Sequence, residues 1–303
     1  VRLHYNGLLV ASKDMESDIA TLYRYDALGR GIAVLDARPG MSRSMAYHPV
    51  TGWVVAAANA LGETTTYGHY GPTEANAGRV KWTANPVGEA VFYAYNLRGQ
   101  MTHQWGSGTY PVKYGYNGFG DQATLTTYHT TNPAAWSSAS LPGGFNGSSG
   151  ASVTTWEYDG PTGRLGAKID AANKRTDYSW SSETGLLQQR DWARLGPNQE
   201  RVRTSYGYDD AGRMTGLTYN DGTPAVVVGY DRAGRMMGRT DAAGAHAFAH
   251  DAAAGVRELE TVTGGIWDGL SLTRKVDTVG RVAGDAWQLG STPAQETGVG
   301  YDL

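Results

Sequence analysis

Two arrangements of side chains in this sequence have the residue types of a chemical site. His246 and His250 lie four residues apart, a spacing that supplies half of a zinc site when both side chains are on one face of a helix. Carboxylates are also numerous, and two of them held roughly 5–10 Å apart can hydrolyse a glycosidic bond. Whether either arrangement forms a site depends on the elements that carry these residues.

The aspartates belong to a repeated phrase rather than to a unique pair. Its clearest copy is Tyr206-Gly207-Tyr208-Asp209-Asp210-Ala211-Gly212-Arg213. Three other strong copies keep the aromatic, Asp, Gly and Arg positions. The framework residues that the four copies share are Tyr23, Tyr25, Asp26, Gly29, Arg30, Tyr158, Asp159, Gly163, Arg164, Tyr206, Tyr208, Asp209, Gly212, Arg213, Tyr230, Asp231, Gly234 and Arg235. Since a catalytic pair would be unique, a residue type that recurs in every copy indicates a framework.

Weaker copies of the phrase return along the whole chain with a period of about 22 residues, which is typical of stacked supersecondary units. We take the second aromatic residue of each copy as its anchor. A second turn recurs about eleven residues after the anchor, as in Asn220-Asp221-Gly222, and the residues between turns are rich in Thr, Val and Tyr. Two turns per repeat imply two strands per repeat. The sequence therefore predicts an all-β repeat array of antiparallel β-hairpins.

Each position of the phrase has a structural interpretation. Tyr206 and Tyr208 are two residues apart and face the same side of a strand, where their rings can stack on equivalent rings of neighbouring hairpins. Asp209 follows the strand and can accept hydrogen bonds from the next amides in an Asx-type turn. Gly212 supplies a positive φ. Arg213 is expected to pair with an Asp of an adjacent turn or to lie over a Tyr ring.

The same register argues against chemistry. It places His250 at an anchor position of a strand, where it substitutes for an aromatic ring, so we predict no metal site. Four glutamates are not repeated, and nothing in the sequence brings them together: Glu157, Glu183, Glu200 and Glu258. The chain has no cysteine and no Gly-x-Ser-x-Gly or phosphate-loop motif. We predict that it is not an enzyme, with no catalytic residue and no cofactor.

Two irregular segments interrupt the array. Residues at about 130–151, rich in Ser and Gly, predict a long surface loop, and residues at about 262–270 predict a shorter one. The array otherwise indicates a single repeat domain over 1–303. Because binding residues often lie on loops, Trp136 and Trp267 are the candidates for a ligand surface on which sugar rings stack.

Composition excludes several classes of function. The net charge of -3 without a basic run gives no reason to expect a nucleic-acid partner. Without cysteine there is no disulfide framework. The longest apolar runs, such as residues 53–58, are shorter than the roughly 20 residues that span a bilayer. A degenerate copy of the phrase already begins at His4, so we expect the chain to be a fragment of a larger protein.

The phrase Tyr-x-Tyr-Asp-x-x-Gly-Arg at this spacing resembles the YD-repeat, or Rhs-repeat, family of bacterial exported proteins, to which the shell regions of toxin complexes and the YD part of teneurins are similar. The resemblance covers essentially the whole chain. It implies a curved or spiralling strip of hairpins that forms part of a shell around a C-terminal polypeptide, commonly a toxin. The Asp-Pro signature of self-cleavage in that family does not occur in this sequence.

The resemblance implies a structural, non-catalytic shell segment of a bacterial protein that is secreted or lies at the cell surface. Its partners would be the rest of the parent polypeptide and an enclosed toxin cargo. The Trp and Tyr content leaves open a carbohydrate-binding or adhesive module, with glycans as ligands. A glycan hydrolase is a third alternative, and it requires a unique carboxylate pair in a cleft.

Overall fold

A computed structural model of the chain describes residues 2–14, 20–36, 38, 42–129, 136–146, 150–253, 256–277 and 280–298. These residues form 25 β-strands and two short 3-10 helices, Gly143–Asn146 and Gly265–Trp267. They belong to two compact units, Val1–Trp156 and Glu157–Asp302. The prediction of one repeat domain over 1–303 stays a prediction, and each unit is described by itself below.

In the first unit every strand pairs antiparallel with the strand that follows it in the chain, from β1 to β13. The last of these strands crosses the boundary between the units. The bounds are β1 Arg2–Asn6, β2 Leu9–Asp14, β3 Ala20–Tyr25, β4 Gly31–Asp36, β5 Arg43–Tyr47, β6 Val54–Ala58, β7 Thr64–His69, β8 Val80–Ala84, β9 Ala90–Tyr95, β10 Met101–Gly106, β11 Val112–Tyr116, β12 Gln122–Tyr128 and β13 Ala151–Tyr158.

The second unit repeats this plan from β14 to β25, again with antiparallel pairing of successive strands. The bounds are β14 Leu165–Ile169, β15 Arg175–Trp180, β16 Leu187–Leu195, β17 Arg201–Tyr208, β18 Met214–Tyr219, β19 Val226–Tyr230, β20 Met236–Asp241, β21 Gly244–Ala253, β22 Val256–Thr263, β23 Leu270–Val276, β24 Val282–Leu289 and β25 Gln295–Gly298. The predicted fold class, an all-β array of antiparallel hairpins, is confirmed.

Because successive strands pair in order, the turns alternate between two rims of each sheet. The turns that follow the anchor residues lie on one rim, which we call the anchor rim, and the turns half a repeat later lie on the opposite rim. Both irregular segments are on the opposite rim: residues 129–150 connect β12 to β13, and residues 264–269 connect β22 to β23.

A register shift recurs beside the anchor residue in the hairpins of the anchor rim. It lies between Arg24 and Tyr25 in β3, between Gly207 and Tyr208 in β17, and between Gly229 and Tyr230 in β19. A β-bulge of this kind inserts one extra residue into one strand, bends the strand and increases its twist. Since the shift has the same place in these repeats, it is a local source of the curvature that the resemblance implies.

The sheets have little core, as expected of a single layer. Most strand residues are neither buried nor fully exposed. Among the described residues, nine apolar side chains are buried: Trp105, Tyr128, Trp136, Phe145, Ala167, Val202, Val228, Val262 and Ala286. The first four of them form one cluster. Stability must therefore come largely from strand pairing and from contacts between repeats.

The long surface loop after β12 stays a prediction: most of its described residues, 136–146, are exposed, but two of its aromatic residues pack against the sheet. Trp136 is 7% and Phe145 3% exposed. The Phe145 ring centre lies 4.7 Å from that of Trp136, 5.2 Å from that of Tyr128 and 6.0 Å from that of Trp105. The physical reason is that a one-layer sheet leaves an aromatic face open, and the segment covers it. Residues 130–135 and 147–149 lie outside the described residues.

Candidate functional site

The Asp of the repeated phrase closes the turn at the anchor rim. The backbone amides of Ala211 and Arg213 donate to Oδ1 of Asp209 at 3.0 and 2.9 Å, and the amide of Gly212 donates to the Asp209 carbonyl at 2.9 Å. Gly212 has a φ of 76°, where a β-carbon would be strained. The predicted Asx-type turn and the role of its glycine are confirmed. Turns of this form are also described at Asp26, Asp231 and Asp277.

The Arg of the phrase joins its own turn to the next repeat. Nε of Arg213 donates to Oδ2 of Asp209 at 2.7 Å. The guanidinium carbon lies 4.9 Å from the ring centre of Tyr230, the next anchor, and Nη1 donates to the Asp231 carbonyl at 3.1 Å. The predicted contact with a Tyr ring is therefore present, and the carboxylate partner belongs to the same turn. Equivalent contacts are made by Arg30 with Asp26 and Tyr47, whereas Arg235 pairs with Asp231 and with Asp251 of the adjacent turn.

The polar tip of the anchor ring fastens many of the hairpins to the one before, although the hydroxyl of Tyr70 donates instead to the carbonyl of Tyr93 on a later strand. The hydroxyl of Tyr230 donates to the carbonyl of Met214 at 2.9 Å. These two residues belong to neighbouring strands that no turn connects at the anchor rim. The same bond recurs from Tyr25 to Val10, from Tyr47 to Gly31, from Tyr95 to Val80, from Tyr116 to Met101 and, through the indole N–H, from Trp180 to Leu165.

The anchor rings thus work differently from the prediction that equivalent rings stack on one another. Among the described ring pairs, one joins two anchors, Tyr70 and Tyr95, with centres 6.0 Å apart in an edge-on contact. Neighbouring anchors on one rim are two strand spacings apart, or about 9–10 Å, beyond the usual reach of ring stacking. The contact that the spacing does allow is a hydrogen bond to the adjacent strand.

His250 occupies an anchor position, as predicted. Its Nε2 lies 2.7 Å from the carbonyl oxygen of Met236, where the other repeats place a Tyr hydroxyl. His246 is buried, with Nδ1 2.6 Å from Oε1 of Glu260 and Nε2 3.2 Å from Nη2 of Arg239. In the part of the chain that the structure describes, no three His, Asp or Glu side chains are placed to hold a metal ion.

A donor–acceptor rule links the first and fifth residues of these turns, and the sequence-based interpretation missed it. Where Asp opens the turn, a donor such as Arg213 follows four residues later. Where Asn opens it, an acceptor follows: Nδ2 of Asn96 donates to Oε1 of Gln100 at 2.9 Å. The other Asn pairs are Asn59 with Glu63, Asn85 with Glu89 and Asn117 with Asp121. The sequence itself carries this signal, because the first and fifth residues of these turns change together from one turn to the next along the chain.

The copy with an extra residue departs from this rule. Asp159 accepts hydrogen bonds from the amide and hydroxyl of Thr162 at 3.2 and 2.6 Å. Arg164 instead extends toward the next repeat, where its guanidinium lies 6.0 Å from the Trp180 ring and 3.5 Å from the Ser181 carbonyl oxygen. The longer turn therefore keeps the link to the next anchor and changes the contact within the turn.

Hydrogen bonding alters the acidity of the turn aspartates. The pKa of Asp209 is lowered, first by the backbone amide of Arg213 and then by its guanidinium, against an opposing effect of burial. The pKa of Asp231 is lowered first by the side chain and then by the amide of Arg235. These carboxylates are held in the charged form, which suits a structural ion pair and not a general acid.

The two candidate tryptophans belong to different units and have different surroundings. Trp136 lies in the aromatic cluster and lines a cavity of about 550 Å³ together with Glu89, Ser107 and Tyr110. Trp267 ends the second 3-10 helix and is 48% exposed. An exposed stacking face is therefore offered by Trp267, while Trp136 is accessible only where it lines the cavity. A role in ligand binding stays a prediction for both residues.

The four non-repeated glutamates of the sequence analysis do not converge in the described structure. Glu157 pairs with Arg175 at 2.8 Å. Glu183 and Glu200 are exposed turn residues. Glu258 lines a cavity of about 160 Å³ on β22, β23 and β24 that also contains Glu260, Arg274 and Asp285. Arg274 donates to Asp285 at 3.1 Å, so one of these acids is already in an ion pair.

The strands of the second unit carry a network of ion pairs that the sequence-based interpretation missed. Asp177 on β15 contacts Nε of Arg175 at 2.7 Å and Nη1 of Arg201 at 2.5 Å. On the neighbouring strands Arg203 donates to Asp191 at 2.6 Å. The paired side chains are partly exposed, so each pair contributes modestly, at most about 1 kcal/mol. These charges are neutralised by one another, which leaves them little capacity for a substrate.

Comparison with solved structures supports the fold. No family model and no curated protein matches the sequence. The crystal structure of TcdB2-TccC3-Cdc42 matches 92% of this chain and 16% of its own chain, with a TM-score of 0.53 and 12% identity. TcdB2-TccC3 without its hypervariable C-terminal region matches 95% of this chain and 18% of its own, with a TM-score of 0.52 and 11% identity.

These toxin complexes contain Rhs/YD-repeat shells, so the resemblance drawn from the repeated phrase is confirmed at the level of the fold. The chain spans less than a fifth of the length of either matched chain. In the described residues no helix is long and apolar enough to cross a membrane.

Proposed function

We propose that this chain is a non-catalytic wall segment of a YD-repeat shell that encloses or presents another polypeptide. The carrying observation is the series of hairpins in which the same Tyr and Arg contacts at the anchor rim recur in several repeats of both units. The similarity in fold to TcdB2-TccC3 supports this assignment. The cargo would be a toxin domain, and the parent protein would be secreted or displayed at the cell surface.

The chemistry of the framework fits a passive wall. The turn carboxylates, their arginines and the anchor hydroxyls bond one another or the backbone, so the polar groups that recur in each repeat are used within the wall. The sheet faces between the rims carry mostly half-exposed polar and aromatic side chains. Such a surface can contact an unfolded chain at many places without one specific site.

Protection of the cargo from proteolysis tests this function. In the parent protein, the polypeptide next to the shell should resist a protease while the wall is intact. The double variant Arg213→Ala/Arg235→Ala removes two links between repeats and should expose the cargo to cleavage. The matched control is Arg232→Ala, an exposed arginine in the Asp231 turn. Equal cleavage of the cargo in all three proteins would contradict an enclosing wall.

One observation favours carbohydrate binding as a second function. The cavity beside Trp136 combines an aromatic ring that is 80% exposed, Tyr110, with the carboxylate of Glu89 and the hydroxyl of Ser107. A volume of about 550 Å³ lies in the range of small-molecule sites. A sugar could stack on the Tyr110 ring while its hydroxyls bond the two polar groups.

A glycan array with the isolated chain would test the second function. We expect Tyr110→Ala, which removes the stacking ring, and Glu89→Gln, which removes the carboxylate, each to abolish binding at the cavity. Neither residue belongs to the aromatic cluster, so the fold should be unchanged. Trp267→Ala is the matched variant for the exposed ring of the second unit. Binding that persists in the first two variants would exclude the cavity as the glycan site. Absence of binding to any glycan would exclude carbohydrate binding but would not contradict the proposed role as a shell wall.

A further inference from the structure

Arg190, on β16 of the second unit, has neither an ion-pair nor a hydrogen-bond partner among the described residues. Its side chain is half-buried, and its Nε is buried without a hydrogen bond. By contrast, Arg201 and Arg203 on the adjacent strand each donate to an aspartate. Because a buried N–H group without an acceptor is costly, the Arg190 guanidinium is expected to have a use beyond strand pairing.

The two faces of β15, β16 and β17 carry different chemistry around Arg190. Asp177 and Asp191 are directly opposite each other on one face and belong to the ion-pair network. Arg190 and Thr204 are opposite each other in the next row. Successive residues of a strand point to opposite faces, so Arg190 lies on the other face. Since Asp177 and Asp191 are the two carboxylates of these three strands, both are held away from Arg190.

Aromatic rings orient the guanidinium and leave its edge open. Its central carbon lies 3.5 Å from the ring centre of Trp192 and 5.5 Å from that of Tyr178. The Trp192 ring is itself fixed, because its indole N–H donates to Oγ1 of Thr204 at 2.9 Å. A guanidinium that stacks on a ring by its flat face keeps its N–H groups in the plane, where they can meet an acceptor.

This arrangement is complementary to a carboxylate. The planar N–H groups of an arginine form two parallel hydrogen bonds with the two oxygens of a carboxylate. The site supplies one positive charge, which one carboxylate neutralises, whereas a phosphate monoester carries up to about two negative charges at neutral pH. The Trp192 ring also offers apolar contact to the methylene groups of an Asp or Glu side chain.

We propose that Arg190 and Trp192 form a binding site for an acidic side chain, Asp or Glu, of a polypeptide that lies against this face of the second unit. That this polypeptide is the enclosed cargo rests on the proposed wall function, whereas the affinity of the site for a carboxylate does not. Any acidic residue of an extended chain can use the site, so the wall still requires no particular cargo sequence.

Titration of the full chain with small blocked amino acids tests the site. The probes are N-acetylglutamate methylamide, the glutamine compound as its uncharged match, and inorganic phosphate as a different anion. The titration is made at low ionic strength because salt screens charges near the surface. Nuclear magnetic resonance follows the Nε–H signal of Arg190 and the indole N–H signal of Trp192. We expect saturable shifts with the glutamate compound and at least about tenfold weaker binding of the glutamine compound.

Three variants assign the binding to the guanidinium. Arg190→Gln should abolish the glutamate-dependent shift of the Trp192 signal. Arg190→Lys keeps the charge but loses the planar fork, and it should bind at least about threefold more weakly. Arg232→Gln, at an exposed arginine in a turn, is the matched control and should bind as the unmodified chain does. An unshifted Trp192 signal in the absence of probe shows that the Arg190 variants keep the local fold.

Four outcomes would overturn the carboxylate site. They are the absence of a saturable shift, equal binding of the glutamine compound, full binding by Arg190→Gln, and tighter binding of phosphate than of glutamate. Failure of the site is distinguishable from failure of the wall function. If glutamate binds while the protease cleaves the cargo equally in all proteins, the site stands and the enclosing wall is wrong. If the cargo is protected and glutamate does not bind, the wall stands and the site is wrong.

Discussion

The two units share one hairpin plan but stabilise it with different side-chain chemistry. The first unit covers part of its sheet with an aromatic cluster built around Phe145, and most of its described Asx turns open with Asn. The second unit links its strands through ion pairs such as Asp177 with Arg201, and its Asx turns open with Asp. The anchor bonds occur in both. The framework of the repeat is therefore separate from what fills the sheet faces.

This difference separates residues whose type is set by the backbone geometry of the repeat from residues whose type is set by local packing. The turn, the bulge and the anchor bond depend on backbone geometry, which is the same in both units. The faces depend on what lies against them, which differs. A substitution on a sheet face should destabilise only the unit that contains it. Equivalent substitutions at framework positions of the two units should lower the free energy of unfolding by equal amounts.

The largest effect is expected from Phe145→Ala. Removing a buried aromatic ring from the only multi-ring cluster among the described residues should lower the free energy of unfolding of the first unit by about 3–5 kcal/mol. Hydrogen exchange should show lost protection in β9, β10 and β12. Phe119→Ala, at an exposed ring, is the control and should change stability by less than about 0.5 kcal/mol. An equal loss of protection in β17 and β18 would show that the units do not differ as described.

A smaller and equal effect is expected from removing one anchor hydroxyl in each unit. Tyr25→Phe and Tyr230→Phe delete the bonds to Val10 and Met214, both 2.9 Å long, and keep the rings. Each should lower the free energy of unfolding by about 0.5–1.5 kcal/mol, the usual contribution of such a bond. Denaturant titration measures the change, with Tyr110→Phe as a control. If only one of the two substitutions lowers the free energy of unfolding, the anchor bond does not have the same role in both units.

Exchanging the turn chemistry of the units should reveal the donor–acceptor rule. Asp209→Asn places an amide donor against the Arg213 guanidinium and should lower Tm by about 2–4 °C. Arg213→Gln should cost less stability in the Asp209→Asn background than alone, because the pair then reproduces Asn96 and Gln100, while the contacts of Arg213 with Tyr230 and Asp231 are lost in both backgrounds. Calorimetry of the two single variants and the double variant gives the coupling. If the two substitutions show no favourable coupling, the rule is wrong.

The smallest effect on stability is expected from lowering the pH. Since the pKa values of Asp209 and Asp231 are lowered in the folded chain, these aspartates stabilise it above about pH 4, their ordinary pKa. The stabilisation is lost as the pH falls through the folded values. Hydrogen exchange between pH 5 and pH 2, corrected for intrinsic rates, should show the Asp209 hairpin opening before the Asn96 hairpin. The reverse order would contradict the assigned role of the carboxylates.

Much of the framework could be predicted from the sequence because it repeats. The spacing of Tyr208, Asp209 and Gly212 fixes a strand, a turn and a positive φ, and each copy confirms the others. The anchor role of His250 was predicted in the same way, from register alone.

The contacts that occur once could not be predicted. The packing of Trp136 and Phe145 against the sheet depends on an open aromatic face that exists only in the assembled strands. The network at Asp177 depends on which residues of β15, β16 and β17 are opposite one another.

The register shift beside each anchor has a consequence for how such chains change in length. Because the extra residue belongs to the repeated phrase, a gene segment that encodes one whole repeat carries its own bend and its own attachment to the preceding hairpin. Duplication or deletion of that segment alters the extent of the strip and leaves the bend of every remaining hairpin as it was. Size can therefore evolve in steps of one repeat, with no compensating mutation elsewhere.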